Sequence, residues 1–153
     1  MSTLVAVIFY IFIIMVVFIA WEGVAWFLHK YVMHGFGWVI HESHHRYTKG
    51  RFEKNDLFGL LFSSLSFVLI VTGFIYEVWI GLAAGIGIMF YGIGYLFAHD
   101  IFFHRRIKIN YRPKSAYMKR VLNAHAAHHQ QSTAHDGVSF GFLYASKQYA
   151  VEE

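Results

Sequence analysis

"LVAVIFYIFIIMVVFIAW", residues 4 to 21, contains no charged residue, no glycine and no proline. At 1.5 Å per helical residue, a stretch of this length is about enough to cross a hydrocarbon core of roughly 30 Å. Two more uncharged stretches follow, Leu57 to Tyr76 and Val78 to Ala98. The whole chain of 153 residues is 57% hydrophobic, 20% aromatic and only 14% charged, which is a membrane composition. The expected fold is therefore an all-α integral membrane protein of one domain, residues 1–153, with about three transmembrane helices over 4–28, 57–76 and 78–98. No small-residue cleavage site follows the first stretch, which runs on through "WEGVAWFLHKYVMH". It reads as a retained helix, not a removed signal peptide.

Working outward from the spans, the basic residues set the orientation. All 13 Lys and Arg lie in Lys30 to Lys54, Arg105 to Arg120, and at Lys147. Under the positive-inside rule, the segments after the first and third spans face the cytoplasm, while residue 1 and Glu77 face the other side. The expected location is the inner, cytoplasmic membrane. The formal charge of +4 reflects that topology. A nucleic-acid surface would interleave basic and stacking residues on a soluble fold, a pattern lacking here. The second and third spans form a hairpin with Glu77 near its tip, and "GLAAG" (Gly81, Gly85) offers a small-residue face for close helix packing. Pro113 is the only proline, and no solenoid-length repeat is present.

The one internal echo is in the histidines. His29 and His34 form HxxxxH; His41, His44 and His45 form HxxHH; His99 and His104 repeat the first pattern; His125, His128 and His129 repeat the second. On an α-helix, positions three and four apart sit within about 60° of each other. His41 can thus share a metal with His44 or His45. The adjacent pair points about 100° apart, so one HxxHH can serve two neighbouring metals. HxxxxH turns its side chains by about 140°, which calls for a frayed or bulged helix end, or for two metals reached from one helix.

These ten histidines lie in the cytoplasmic segments or at their edges. The chain has no cysteine, which excludes disulfides, iron–sulfur clusters and thiolate-bound haem within these residues. A bis-histidine haem needs single histidines inside facing spans, and a metal transporter needs ligands near mid-bilayer. A two-metal site on the cytoplasmic side of the membrane fits better. Neutral imidazole suits zinc, copper, iron and nickel. Two iron ions are the functional expectation, because together they supply electrons that activate oxygen against an unreactive C–H bond; zinc is a substitute in purified protein. An all-histidine ligand set carries no negative charge, so carboxylates are expected to accept the second N–H of the ligands. Glu22, one heptad before His29, is the first candidate, followed by Asp100, Glu42 and Asp136. His135 stands outside the pattern as a loop residue.

"HKYVMHG", "HESHH", "HDIFFHRR", "HAAHH" and "DGVSFGFLYA" resemble the bacterial β-carotene hydroxylases of the membrane fatty acid hydroxylase and sterol desaturase superfamily, from about Glu22 to Ala145. The resemblance implies a non-haem di-iron monooxygenase of carotenoid biosynthesis. Such an enzyme uses O₂ and two electrons to hydroxylate C3 of each β-ionone ring, giving zeaxanthin through β-cryptoxanthin. It also implies that His29, His34, His41, His44, His45, His99, His104, His125, His128 and His129 are the metal ligands. Trp26, Phe36, Trp38, Phe102 and Phe103 are candidate walls for the carotenoid substrate. These residues hold no GxGxxG and no cysteine, so electrons are expected from a separate donor, such as ferredoxin, docking on the cytoplasmic basic face. Two other readings remain open at this point: hydroxylation or desaturation of a fatty acid or sterol by the same centre, and a non-enzymatic membrane protein that binds or transports metal.

Overall fold

In a computed structural model, residues 2–46, 52–110, 113–131 and 133–150 are described. Lys49, Arg51 and Arg112, three of the basic residues used for orientation, lie outside them. The regular secondary structure of the described residues is all helical, with no strand. In chain order they form α1 (Thr3–Phe27), a π-helical segment (Leu28–Phe36), α2 (Trp38–His45), α3 (Asp56–Ile75), α4 (Trp79–Leu96), a second π-helical segment (Phe97–Phe103), α5 (Ala116–His129) and a 3₁₀ turn (Lys147–Tyr149). Three helical stretches are long and apolar enough to cross a membrane: Thr3–Phe36, Asp56–Ile75 and Trp79–Phe103.

The chain packs as two compact units, one of residues 1–21 and 57–94, the other of residues 22–56 and 95–153. The first consists of span segments that are apolar on every side. Leu4, Phe12, Ile19, Leu60, Phe67 and Phe74 are all exposed, as expected where lipid is the solvent. Small residues let these helices approach closely. A Cβ added at Gly85 would lie 2.9 Å from the backbone N of Ile70, and one at Gly73 would lie 2.5 Å from the backbone N of Leu82. Gly87 meets the carbonyl of Ile14 in the same way, at 2.8 Å. Gly81 differs from the expected small-residue face. Its nearest neighbour is Val78 at 3.6 Å, the residue just before its own helix. The Ser66 hydroxyl donates to the Gly85 carbonyl at 2.8 Å, tying α3 to α4. Between those helices Glu77 takes a left-handed conformation, φ 56°, which closes the hairpin in a few residues.

The second unit holds every histidine. Its apolar core is small, with Val121, Ala124 and Ala145 buried against Phe103 and Tyr149. The largest fully buried side chains are His41 and His128, so imidazoles take the place that leucine or phenylalanine holds in an ordinary core. Helix α5 starts where the Ser115 hydroxyl accepts the Met118 N–H at 3.2 Å. The tail after α5 is anchored by the Tyr117 hydroxyl donating to the Leu143 carbonyl and by Asn123 Nδ2 donating to the Tyr149 carbonyl at 3.2 Å.

Candidate metal centre

The HxxxxH motifs are where the helix geometry changes. The first lies within a π-helical segment and the second runs from within one to its C-cap, His104; the i→i+5 hydrogen bonds of such segments bring residues five apart onto one face. The bond from the His104 N–H to the His99 carbonyl, 2.8 Å, is of this kind, as is that from the Gly37 N–H to the Val32 carbonyl, 2.8 Å. The ring centroids of His29 and His34 are 5.2 Å apart, and those of His99 and His104 are 4.5 Å apart. Of the two sequence options, a bulged helix or one helix reaching two metals, the structure has the bulge.

The histidines separate into two groups whose ligand atoms lie within 4.8 Å of one another. One is His29, His34, His41, His45 and His128; the other is His44, His99, His104 and His125. His129 lies beside the second group, with its ring 4.6 Å from His44, 4.6 Å from His104 and 4.5 Å from His125. Its Nε2 is buried and has no hydrogen-bond partner. The groups adjoin, since the His45 ring stacks on that of His129 at 4.7 Å.

The HxxHH helices are shared between the groups in opposite senses. On α2, His41 and His45, four apart, face the first group, while His44 faces the second. On α5, His125 and His129, four apart, are with the second, and His128 is with the first. Each group thus combines one π-segment pair, one i,i+4 pair and one single histidine from the opposite helix.

Hydrogen bonding fixes which nitrogen carries the proton in seven of the ten rings. Nδ1 donates from His29 to the Phe140 carbonyl (2.9 Å), from His34 to Ala134 (3.1 Å), from His45 to Gln131 (3.0 Å) and from His128 to Val138 (2.7 Å). His41 Nδ1 donates to Asn55 Oδ1 (2.7 Å), His44 Nδ1 to Glu53 Oε2 (2.9 Å) and His99 Nδ1 to Asp100 Oδ1 (2.8 Å). A neutral imidazole has one N–H, so in these seven rings Nε2 presents a lone pair. Those lone pairs face one another: His29 to His41 at 3.0 Å, His41 to His45 at 3.3 Å, His34 to His128 at 3.3 Å and His44 to His99 at 2.8 Å. Facing lone pairs repel unless a cation lies between them. Two nitrogens bound at right angles to one ion, each about 2.1 Å away, would be about 3.0 Å apart, so the donor set and its spacing fit metal.

Burial keeps the imidazoles neutral. It lowers His41, His104 and His128 to about 3, His45 to about 4 and His129 to about 2, with neighbouring imidazoles adding to the effect. His44 and His125 are also held well below the usual histidine range, first by burial and then by His99. Neutral imidazole is the form that binds metal.

The expected carboxylates lie in four different settings. Asp100 accepts from His99, as above. Glu22 Oε1 accepts the backbone N–H groups of Phe142, Leu143 and Tyr144 at 3.0, 2.9 and 3.1 Å; the N–H of His29 goes to Phe140. Glu42 pairs with Arg46 one turn along α2, at 2.7 Å. Asp136 accepts from the Thr133 hydroxyl at 2.6 Å. Sequence reasoning missed Glu53 and Asn55, which lie in the loop before α3 and give no spacing signal. Arg106 was missed too; it lies 2.8 Å from Glu53, 2.8 Å from Asp56 and 3.9 Å from Asp100.

Among the expected walls, Trp38 packs on His34 and His45 at 5.1 Å each, and Phe103 stacks on His125 at 4.4 Å. Trp26 packs on Tyr31 and Phe36 is 85% exposed. Phe102 is half-buried. Tyr95, stacked on His99 at 4.5 Å, and Phe140, against His29, His34 and His128, are further aromatic neighbours. His135 is exposed.

Residues 14–146 match the sequence model of the fatty acid hydroxylase family. A β-carotene hydroxylase of Pseudescherichia vulneris is 44% identical over 129 residues, covering 84% of this chain and 73% of that protein. One from Pantoea ananas is 43% identical over 133 residues, covering 87% of this chain and 75% of that protein. The chloroplastic β-carotene hydroxylase 1 of Capsicum annuum is 37% identical over 123 residues, covering 78% of this chain and 38% of the pepper protein. No solved structure matches. The family match runs through every residue of the two histidine groups, and by it this chain belongs to the fatty acid hydroxylase family.

Proposed function

We propose that this chain is a β-carotene 3-hydroxylase, a membrane monooxygenase that converts β-carotene through β-cryptoxanthin to zeaxanthin. The observation that carries the reading is the pair of histidine groups with facing, unprotonated Nε2 atoms, found in a chain whose relatives bear the name β-carotene hydroxylase. The reaction consumes one O₂, two electrons and two protons, and yields one C–OH and one water for each ring. Two iron ions, when bound, supply the oxygen activation and the attack on the ring C–H.

The residues of the chain do the rest. His29, His34, His41, His45 and His128 hold one ion; His44, His99, His104, His125 and His129 hold the other. The backbone carbonyls of residues 131, 134, 138 and 140, with Asn55, Glu53 and Asp100, set the ring orientations by accepting Nδ1–H. Trp38, Tyr95, Phe103 and Phe140 cover the imidazole faces and keep water from them. The apolar spans suit a substrate that dissolves in the bilayer. The protein lies in the cytoplasmic membrane, and the distribution of Lys and Arg supports an orientation with its histidines on the cytoplasmic side. Electrons come from a separate ferredoxin-type donor.

Expression in cells that accumulate β-carotene, followed by pigment chromatography, tests the reading. β-Cryptoxanthin and zeaxanthin should appear, and should require both iron and oxygen. A membrane-inserted protein that leaves β-carotene intact but oxidises fatty acids or sterols would overturn the carotenoid assignment.

A further inference from the structure

The two histidine groups differ in what accepts their outer N–H. In the first group every acceptor is neutral: carbonyls for His29, His34, His45 and His128, and the Asn55 amide oxygen for His41. In the second, His44 donates to the Glu53 carboxylate at 2.9 Å and His99 to the Asp100 carboxylate at 2.8 Å. Both of those histidines are buried, with side chains 2% and 5% exposed. A carboxylate that accepts Nδ1–H pulls the proton toward itself and makes Nε2 a stronger donor, and it adds negative charge next to the cation. Arg106 lies against Glu53 and Asp56 and near Asp100. One guanidinium among three carboxylates offsets only part of their charge and holds Glu53 in place.

Resting on the two-metal reading above, we propose that the two positions are inequivalent: the one built on His44 and His99 holds its metal more tightly, because Glu53 and Asp100 are positioning residues that strengthen its donors. The first position, with neutral acceptors only, is the one that loses its metal first. Asn55 marks the difference, since it occupies for His41 the place that Glu53 occupies for His44.

The test is metal release from purified, ferrous-iron-loaded protein mixed with excess bipyridyl, with product formation measured separately. Two equivalents should leave in two phases, differing in rate by about 10-fold or more. His29→Ala should retain only the slow equivalent and His99→Ala only the fast one. Glu53→Gln and Asp100→Asn keep an oxygen acceptor but remove the charge, and each should speed the slow phase by about 10-fold. Asn55→Asp should act in the opposite direction and slow the fast phase, which a mere loss of folding cannot imitate. Release of both equivalents in one phase from an active enzyme would overturn the inequivalence and leave the hydroxylase reading intact. Two phases insensitive to Glu53→Gln, Asp100→Asn and Asn55→Asp would overturn the role of the carboxylates. A protein that never takes up two equivalents would overturn the two-metal reading itself.

Discussion

Glu22 Oε1 accepts the backbone N–H of Leu143 at 2.9 Å, and the same oxygen takes those of Phe142 and Tyr144. This one carboxylate oxygen therefore fixes the tail just beyond Phe140 and Val138, whose carbonyls orient His29 and His128. Its influence on the metal centre is indirect and passes through the backbone. The approach is tight on the tail side too, because a Cβ added at Gly141 would lie 2.5 Å from Glu22 Oε1.

Glu22→Ala should thus cost about 2 to 3 kcal/mol of stability, since hydrogen bonds to a charged group are worth roughly that much, and should weaken metal retention by about 10- to 100-fold. Glu22→Gln, which keeps an oxygen acceptor, should do less. Gly141→Ala should reproduce the loss from the other side of the contact without changing any charge. Thermal unfolding and metal content of the purified variants check all three. Normal metal content in both Glu22→Ala and Gly141→Ala would break the link from Glu22 to the histidines.

Close packing of α3 on α4 gives a second expectation. Gly85→Ala places a methyl 2.9 Å from the Ile70 backbone N, with Ile70 Cγ1 at 2.8 Å. Overpacking of this kind costs about 1 to 3 kcal/mol. Gly81→Ala meets only Val78 at 3.6 Å and should lie within about 0.5 kcal/mol of wild type. Unfolding in detergent should rank them in that order. Equal effects would remove Gly85 from the helix contact.

These cases also mark how far the sequence reaches. The spans are legible because lipid demands uninterrupted apolar residues, and the observed α1, α3 and α4 fall close to the expected bounds. The five-residue spacing of His29/His34 and His99/His104 left a bulged helix end and one helix reaching two metals equally open, and the π-helical backbone decides for the bulge. Spacing along one helix could not decide whether His41 joins His44 or His45, because both lie on its face; only the opposing α5 separates them. Glu53 and Asn55 were not legible, since they reach His44 and His41 across a loop and no periodicity links loop residues to a helix face. Gly85 stood out from the sequence with Gly81, yet which glycine meets a neighbour depends on how α4 is rotated against α3.

Orientation in the membrane is testable on its own. With Lys and Arg confined to the segments beside the histidines, a reporter fused after Glu153 should read as cytoplasmic and one inserted at Glu77 as external. A cytoplasmic signal from residue 77 would overturn the three-span topology.

The ten grouped histidines and His135 should behave differently. His41 and His128 are 2% and 0% exposed, and each has an Nε2 facing another histidine of its group: His29 for His41, His34 for His128. His45 faces His41 and His99 faces His44 in the same way. Replacing any of these four by alanine removes a nitrogen donor for which the chain has no cysteine to substitute. Each variant should therefore lose zeaxanthin formation altogether, a drop of more than about 100-fold, since even outer partners of metal ligands typically cost 10- to 100-fold. His135 is exposed and belongs to neither group, so His135→Ala should keep most of the activity. Pigment chromatography reads the product, and immunoblots of the membrane fraction report insertion, which should be near normal because the apolar spans are untouched. A grouped-histidine variant with wild-type turnover would remove that residue from the ligand set. An inactive His135→Ala with normal insertion would add His135 itself to the metal centre, and the division of ligands between the two ions would then have to be redrawn.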